Sequence, residues 1–170
     1  MCGICGIYYY GSKQNVDINL LKRMNNMIAH RGPDGEGFYL DSNIGFGHRR
    51  LSIVDLANGI QPMCNEDESV WITFNGEIYN HKEYRDLLVQ KGHSFKSNCD
   101  TETIIHLYEE YGVEFISKLN GMFSFAIWDK KKNSLLIVRD RLGVKPLYYY
   151  YDKDKISFAS EIKSIIADEL

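Results

Sequence analysis

Only four cysteines occur in the 170 residues: Cys2, Cys5, Cys64 and Cys99. Cys2 and Cys5 form one C-x-x-C pair, and no second pair completes a four-thiolate site. The five histidines, His30, His48, His81, His93 and His106, make no H-x-H and no H-E-x-x-H. No metal is therefore expected. No run approaches about 18 apolar residues, and no basic segment leads into an apolar one, which points away from a helical membrane span or a secretory leader. Charge of one sign is also scarce. A net charge of −3 favours neither nucleic acid nor an anionic membrane as partner. The one basic run, Lys130-Lys131-Lys132, sits between two apolar segments and reads as a hairpin turn. There is no G-x-x-x-x-G-K-[ST] phosphate loop, no internal repeat, no low-complexity tract and no linker. What remains is a single domain with reduced thiols, expected in the cytoplasm.

What is present is an aromatic-rich, ordinary globular composition: 44% hydrophobic, with twelve Tyr and eight Phe. Residues 2–10 read as a first strand. Ile18, Leu21, Met24 and Ile28 fall on one helical face after Asp17, a plausible N-cap. Two short strands, 38–40 and 44–48, flank Asp41-Ser42-Asn43. Gly45-Phe46-Gly47-His48-Arg49-Arg50 resembles a dinucleotide fingerprint but has Arg at its sixth position and no helix after it. Residues 57–69 read as a polar loop. Val70–Phe74 is a strand running into Asn75-Gly76, a strong hairpin signal. Asn80 with Glu83 predicts a capping box, and Asp100 or Thr101 starts another helix. Strand pairs follow at 122–128 with 135–138 and at 147–151 with 156–159. A last helix opens at Glu161. Strands with helices set between them predict an α+β layered domain, largely antiparallel.

The chemistry turns on Cys2. Removal of Met1 would give Cys2 both a thiol and a free α-amine. The amine, with an ordinary pKa of about 7.7–8, can take the proton of a thiol that titrates near about 8.5. Gly3 and Gly6 let backbone and substrate approach. Two other readings stand beside this one. Cys2 can be a small apolar residue opening a buried strand, or it can pair with Cys5 in redox or metal work.

Eight segments carry a family resemblance: MCGICGIY at 1–8, HRGPDGEG at 30–37, HRRLSIVD at 48–55, FNGEIYN at 74–80, DTETIIHLYEEYG at 100–112, LNGMFSFAIWD at 119–129, RDRLGVKPLYY at 139–149 and FASEIKSI at 158–165. In this order they resemble the class II, or N-terminal nucleophile, glutamine amidotransferases, and among them the asparagine synthetase branch. The resemblance implies an αββα sandwich of two mainly antiparallel sheets and one glutaminase domain over 1–170. It implies that Cys2 attacks the side-chain amide of glutamine, that the Asn75 side chain and Gly76 N–H hold the oxyanion, and that Arg50 meets the substrate carboxylate. Asp100 would meet the ammonium, with Glu77 nearby and the backbone around Leu51 and Val54 lining the pocket. Taken singly, Asn75-Gly76 reads as a type I′ turn, Arg50 as a surface ion pair, Asp100 as an N-cap and Glu77 as a solvated turn residue. Arg31 and the stretch from Arg139 to Pro146 read either as structural turns or as a face toward a second domain.

The synthetase part of that branch, which activates aspartate with ATP and Mg, has no counterpart here: a Ser-Gly-Gly-x-Asp-Ser loop is absent. No cofactor is expected for this domain. Expected partners are glutamine, a synthetase domain in cis or in trans and, as an option, a second copy in a homodimer. Two alternatives compete with the glutaminase: a non-catalytic domain that binds an amino acid or a partner, and a glutaminase serving a different amidation acceptor.

Overall fold

The computed structural model describes residues 1–12, 14–51 and 59–167. Among these residues, nine strands form two antiparallel sheets. The first contains β1 (Gly3–Tyr9), β2 (Gly35–Asp41), β3 (Ile44–Arg50), β8 (Tyr148–Tyr151) and β9 (Lys155–Ala159), in the order β2-β3-β1-β9-β8. The second contains β4 (Met63–Cys64), β5 (Val70–Ile78), β6 (Gly121–Asp129) and β7 (Ser134–Arg139), in that order. The helices are α1 (Ile18–Met27), α2 (His81–Gln90), α3 (Asp100–Tyr111) and α4 (Ile162–Ile166). None of them is long and apolar enough to cross a membrane.

Side-chain parity along the strands builds the layers, because successive residues point to opposite faces. On β1, Cys5, Ile7 and Tyr9 face Leu20, Leu21, Met24 and Ile28 of the α1 region. Ile4 faces the other way and joins Phe46 and Phe158 against Ala126 and Trp128 of the second sheet. Tyr39 stacks on Trp71 across the same interface at 4.1 Å. On β5 and β6, Ile72, Phe74, Phe123, Phe125 and Ile127 pack outward against Leu88, Ile104, Ile105 and Tyr108 of α2 and α3. Each large buried side chain contributes roughly 1.5–3 kcal/mol. The result is the αββα sandwich that the family resemblance implies.

Most local readings match. Asp17 caps α1 by accepting from Asn19 N at 2.8 Å, and the lysine run turns between β6 and β7 with Asn133 left-handed (φ 49). Three readings need correction. Asn75-Gly76 is no hairpin: both lie inside β5, which continues to Ile78 and stays paired with β6 throughout. Asn80 makes no capping box. Its side chain donates to Lys118 O (3.0 Å) and accepts from Asn120 N (3.0 Å), joining the start of α2 to the segment before β6. The loop predicted at 57–69 contains the short strand β4, paired with β5 at Ile72 and Trp71.

Candidate active site

Cys2 immediately precedes β1 and shares the parity of Ile4, so its side chain belongs to the face toward the second sheet. Cys5, three residues on, belongs to the opposite face and is fully buried among α1 residues. The strand itself therefore separates the two thiols of the C-x-x-C pair. Burial pushes the Cys5 thiol up to about 12. It also raises Cys64 and Cys99, which keeps these thiols protonated and inert.

Cys2 opens onto a cleft of about 230 Å³ between the sheets. Leu51 brackets the sulfur: its N–H approaches Sγ at 3.4 Å, and the thiol faces its carbonyl at 3.7 Å. Arg31 Nε donates to the Cys2 carbonyl at 3.0 Å and anchors itself on Glu161 through Nη1 at 3.1 Å. Arg31 thus holds the backbone of Cys2, a contact that a reading of it as a turn or outer face did not anticipate.

Across the cleft, parity turns Thr73 and Asn75 of β5 toward the first sheet, and Thr73 Oγ1 donates to Gly47 O there at 3.4 Å. Asn75 is 2% exposed, and its Nδ2 has no hydrogen-bond acceptor among the described residues. A buried unmet donor costs about 1–3 kcal/mol, so this amide is available to an acceptor in the cleft. Gly76 follows with no room for a side chain: a Cβ there would lie 2.3 Å from Met122 O.

Charges of both signs line the same cleft. Arg50 ends β3, Glu77 is exposed on β5, and Asp100 opens α3. Asp100 does not cap its own helix; Cys99 occupies the cap position, and Asp100 Oδ2 accepts from Ile78 N at 2.9 Å. Burial raises the Asp100 pKa, against the lowering pull of the Ile78 N–H and His81. Seven of the eight residues singled out from the sequence, Cys2, Arg50, Leu51, Asn75, Gly76, Glu77 and Asp100, line this cleft. Val54 falls outside the described residues.

The cleft also contains residues the sequence did not single out. His48 is buried and its Nε2–H donates to Phe74 O at 3.2 Å; burial, helped by the Arg50 charge, lowers its pKa to about 4. Gln61 accepts from Phe74 N at 2.7 Å and donates to Thr101 Oγ1 at 3.4 Å, tying β5 to α3. Lys145 is 5% exposed and its Nζ contacts the Met1 sulfur at 3.1 Å. Asp140 delivers it, accepting backbone N–H bonds from Phe123, Leu142, Val144 and Lys145 at 2.9–3.2 Å. His48 and Lys145 lie within quoted motif segments, but only the packing turns them inward. A thiol at a cleft wall, a donor without an acceptor and both signs of charge suit acyl transfer from a zwitterionic amino acid.

The sequence profile described as the glutamine amidotransferase domain matches residues 1–170. Asparagine synthetase [glutamine-hydrolyzing] 2 of Bacillus subtilis is 50% identical over 169 residues, which cover 98% of this chain and 22% of the relative. The probable asparagine synthetase [glutamine-hydrolyzing] of Dictyostelium discoideum is 45% identical over 170 residues, covering 99% of this chain and 30% of the relative. The chain thus spans less than a third of the length of these relatives. A solved glutamine phosphoribosylpyrophosphate amidotransferase from B. subtilis superposes with TM-score 0.80 at 18% identity, over 99% of this chain and 44% of that one.

Proposed function

Because the chain belongs to the glutamine amidotransferase domain family, we propose that residues 1–170 form a glutaminase domain in which Cys2, freed of Met1, is the nucleophile. The α-amine of Cys2 takes the proton from Sγ, and the thiolate attacks the side-chain carbonyl carbon of glutamine. Charge develops on the carbonyl oxygen, where Asn75 Nδ2 and the Gly76 N–H stabilise it. The C–N bond breaks as the protonated amine returns its proton to the leaving nitrogen, releasing ammonia. Water, deprotonated by the same amine, then resolves the thioester to glutamate. Arg50 holds the substrate carboxylate and Asp100 its ammonium, with Glu77 beside it and the backbone at Leu51 as a wall. No cofactor enters these steps.

The observation that carries this reading is the buried Asn75 amide nitrogen, without an acceptor among the described residues, in the cleft that holds Cys2. The names of the relatives support ammonia delivery to an asparagine synthetase-type acceptor, in which ATP and Mg belong to a separate synthetase domain, in cis or in trans. Four unpaired cysteines support a reducing compartment such as the cytoplasm.

The test is glutamate release from glutamine by chain whose intact mass lacks Met1. Cys2→Ala, and chain retaining Met1, should each lose activity by on the order of 10³-fold or more. A glutamine-derived electrophile should label Cys2 alone. Normal turnover by Cys2→Ala would refute the assignment.

A further inference from the structure

A second cluster of ionisable side chains lies outside the cleft, where the connection from α2 turns onto α3. Gly92, left-handed at φ 99, reverses the chain after α2, and His93 N bonds back to Leu88 O at 3.1 Å. The turn brings the His93 ring over His106 of α3, with ring centroids 4.7 Å apart. Glu109 lies three residues beyond His106 on the same helix face.

Three atoms converge there. His93 Nδ1 and His106 Nδ1 are 3.2 Å apart, His106 Nδ1 and Glu109 Oε2 are 2.7 Å apart, and His93 Nδ1 and Glu109 Oε2 are 3.6 Å apart. In a tetrahedral zinc site with bonds of about 2.0–2.1 Å, ligand atoms are separated by about 3.3 Å. The observed triangle scatters around that edge length.

Proton counting makes the triangle electron-rich. His93 Nε2 meets Glu110 Oε1 at 3.0 Å, which fixes the ring proton there and leaves a lone pair on Nδ1. Glu109 Oε1 accepts from Asn65 Nδ2 at 2.7 Å, leaving Oε2 directed at the histidines. With both imidazoles neutral, only His106 brings a proton, and its single Nδ1–H cannot serve both the His93 lone pair and the Glu109 carboxylate well. The outer contacts have the form that orients metal ligands: a carboxylate behind one imidazole and an amide behind the carboxylate. His106 itself is 1% exposed, and its Nε2 has no partner among the described residues.

We infer that His93, His106 and Glu109 form a binding site for a divalent transition-metal ion of the zinc type, with a fourth position open to water. Metal entry at His106 Nδ1 moves that ring's proton to Nε2, so the neutral imidazole changes tautomer without releasing a proton. The ion clips the α2–α3 connection to α3, the helix that begins at Asp100. This revises the expectation of no metal, which rested on spacing alone. His93 and His106 are thirteen residues apart, and only the chain reversal at Gly92 makes them neighbours.

The test is calorimetric titration of chelator-treated chain with Zn2+, followed by Co2+ as a spectroscopic probe. The expected result is one equivalent bound, a rise in Tm, and visible cobalt bands of tetrahedral intensity without thiolate charge transfer in the near ultraviolet. His93→Ala and Glu109→Gln, both outside the core, should weaken binding by at least about tenfold and abolish the rise in Tm while remaining folded. His106 is too buried to serve alone as the test. Absence of binding at millimolar Zn2+, binding that survives His93→Ala, or a thiolate charge-transfer band would each overturn the site. The first outcome would leave the triangle as a hydrogen-bonded relay.

Discussion

Asn75 carries a buried donor that no group among the described residues accepts, and this separates stability from activity at one residue. Asn75→Ala removes an unmet polar group, so urea unfolding should show equal or greater stability. Glutaminase kcat should fall about 10²–10³-fold, the usual cost of one oxyanion donor. Asp100 makes a different prediction. Its raised pKa means that it protonates at higher pH than an ordinary aspartate. The neutral acid attracts the substrate ammonium less, so KM should climb as pH falls, beginning above about 3.9. In Asp100→Asn, KM should be high and lack that acid limb; an unchanged KM would remove Asp100 from substrate binding. At this scale the sequence supplied the residue types that a zwitterion and an oxyanion require. It did not reveal His48, Gln61 or Lys145, because their inward placement depends on partners 26, 13 and 144 residues away.

At the scale of elements, local rules failed where a side chain serves a distant segment. The Asn75-Gly76 dipeptide signals a hairpin, yet β6 pairs with β5 along its whole length and overrides it. Asn80 and Asp100 both look like helix caps. Each spends its side chain on other backbone instead, Asn80 on residues 118 and 120 and Asp100 on Ile78. Amphipathic periods were legible for α1 and for the paired strands because burial on one face sets them directly. Gly76 shows how tightly β5 and β6 fit. In Gly76→Ala the new Cβ would meet Met122 O at 2.3 Å. The substitution should cost about 1–3 kcal/mol in urea unfolding, and a larger share of activity, because it displaces the Asn75 amide as well. Undiminished activity would show that this strand segment is not part of the oxyanion site.

At the scale of the whole molecule, layer type could be read from alternation, but sheet order could not. Pairing β1 with both β3 and β9 requires closure over more than 150 residues, which no local pattern encodes. That central position buries His48 between the sheets, with a pH consequence. Its pKa falls from 6.5 to about 4 on folding. The unfolded chain therefore binds the extra proton between these values, and stability must decline as pH drops from 6.5 toward 4. The loss from this residue is about 3 kcal/mol. Urea midpoints measured across that window should fall for the native chain and fall less for His48→Gln. Equal slopes would mean that other groups dominate.

The position of Cys2 at the mouth of a central strand also sets a rule for assembling larger proteins. On the proposed mechanism the working base is a backbone amine, and Met1 already reaches the cleft and touches Lys145. Any peptide added ahead of Cys2 would turn that amine into an amide and occupy the substrate's space. A segment that stays attached ahead of Cys2 should therefore silence the glutaminase, whereas one removed in processing should restore it, and permanent affinity tags belong at the opposite end.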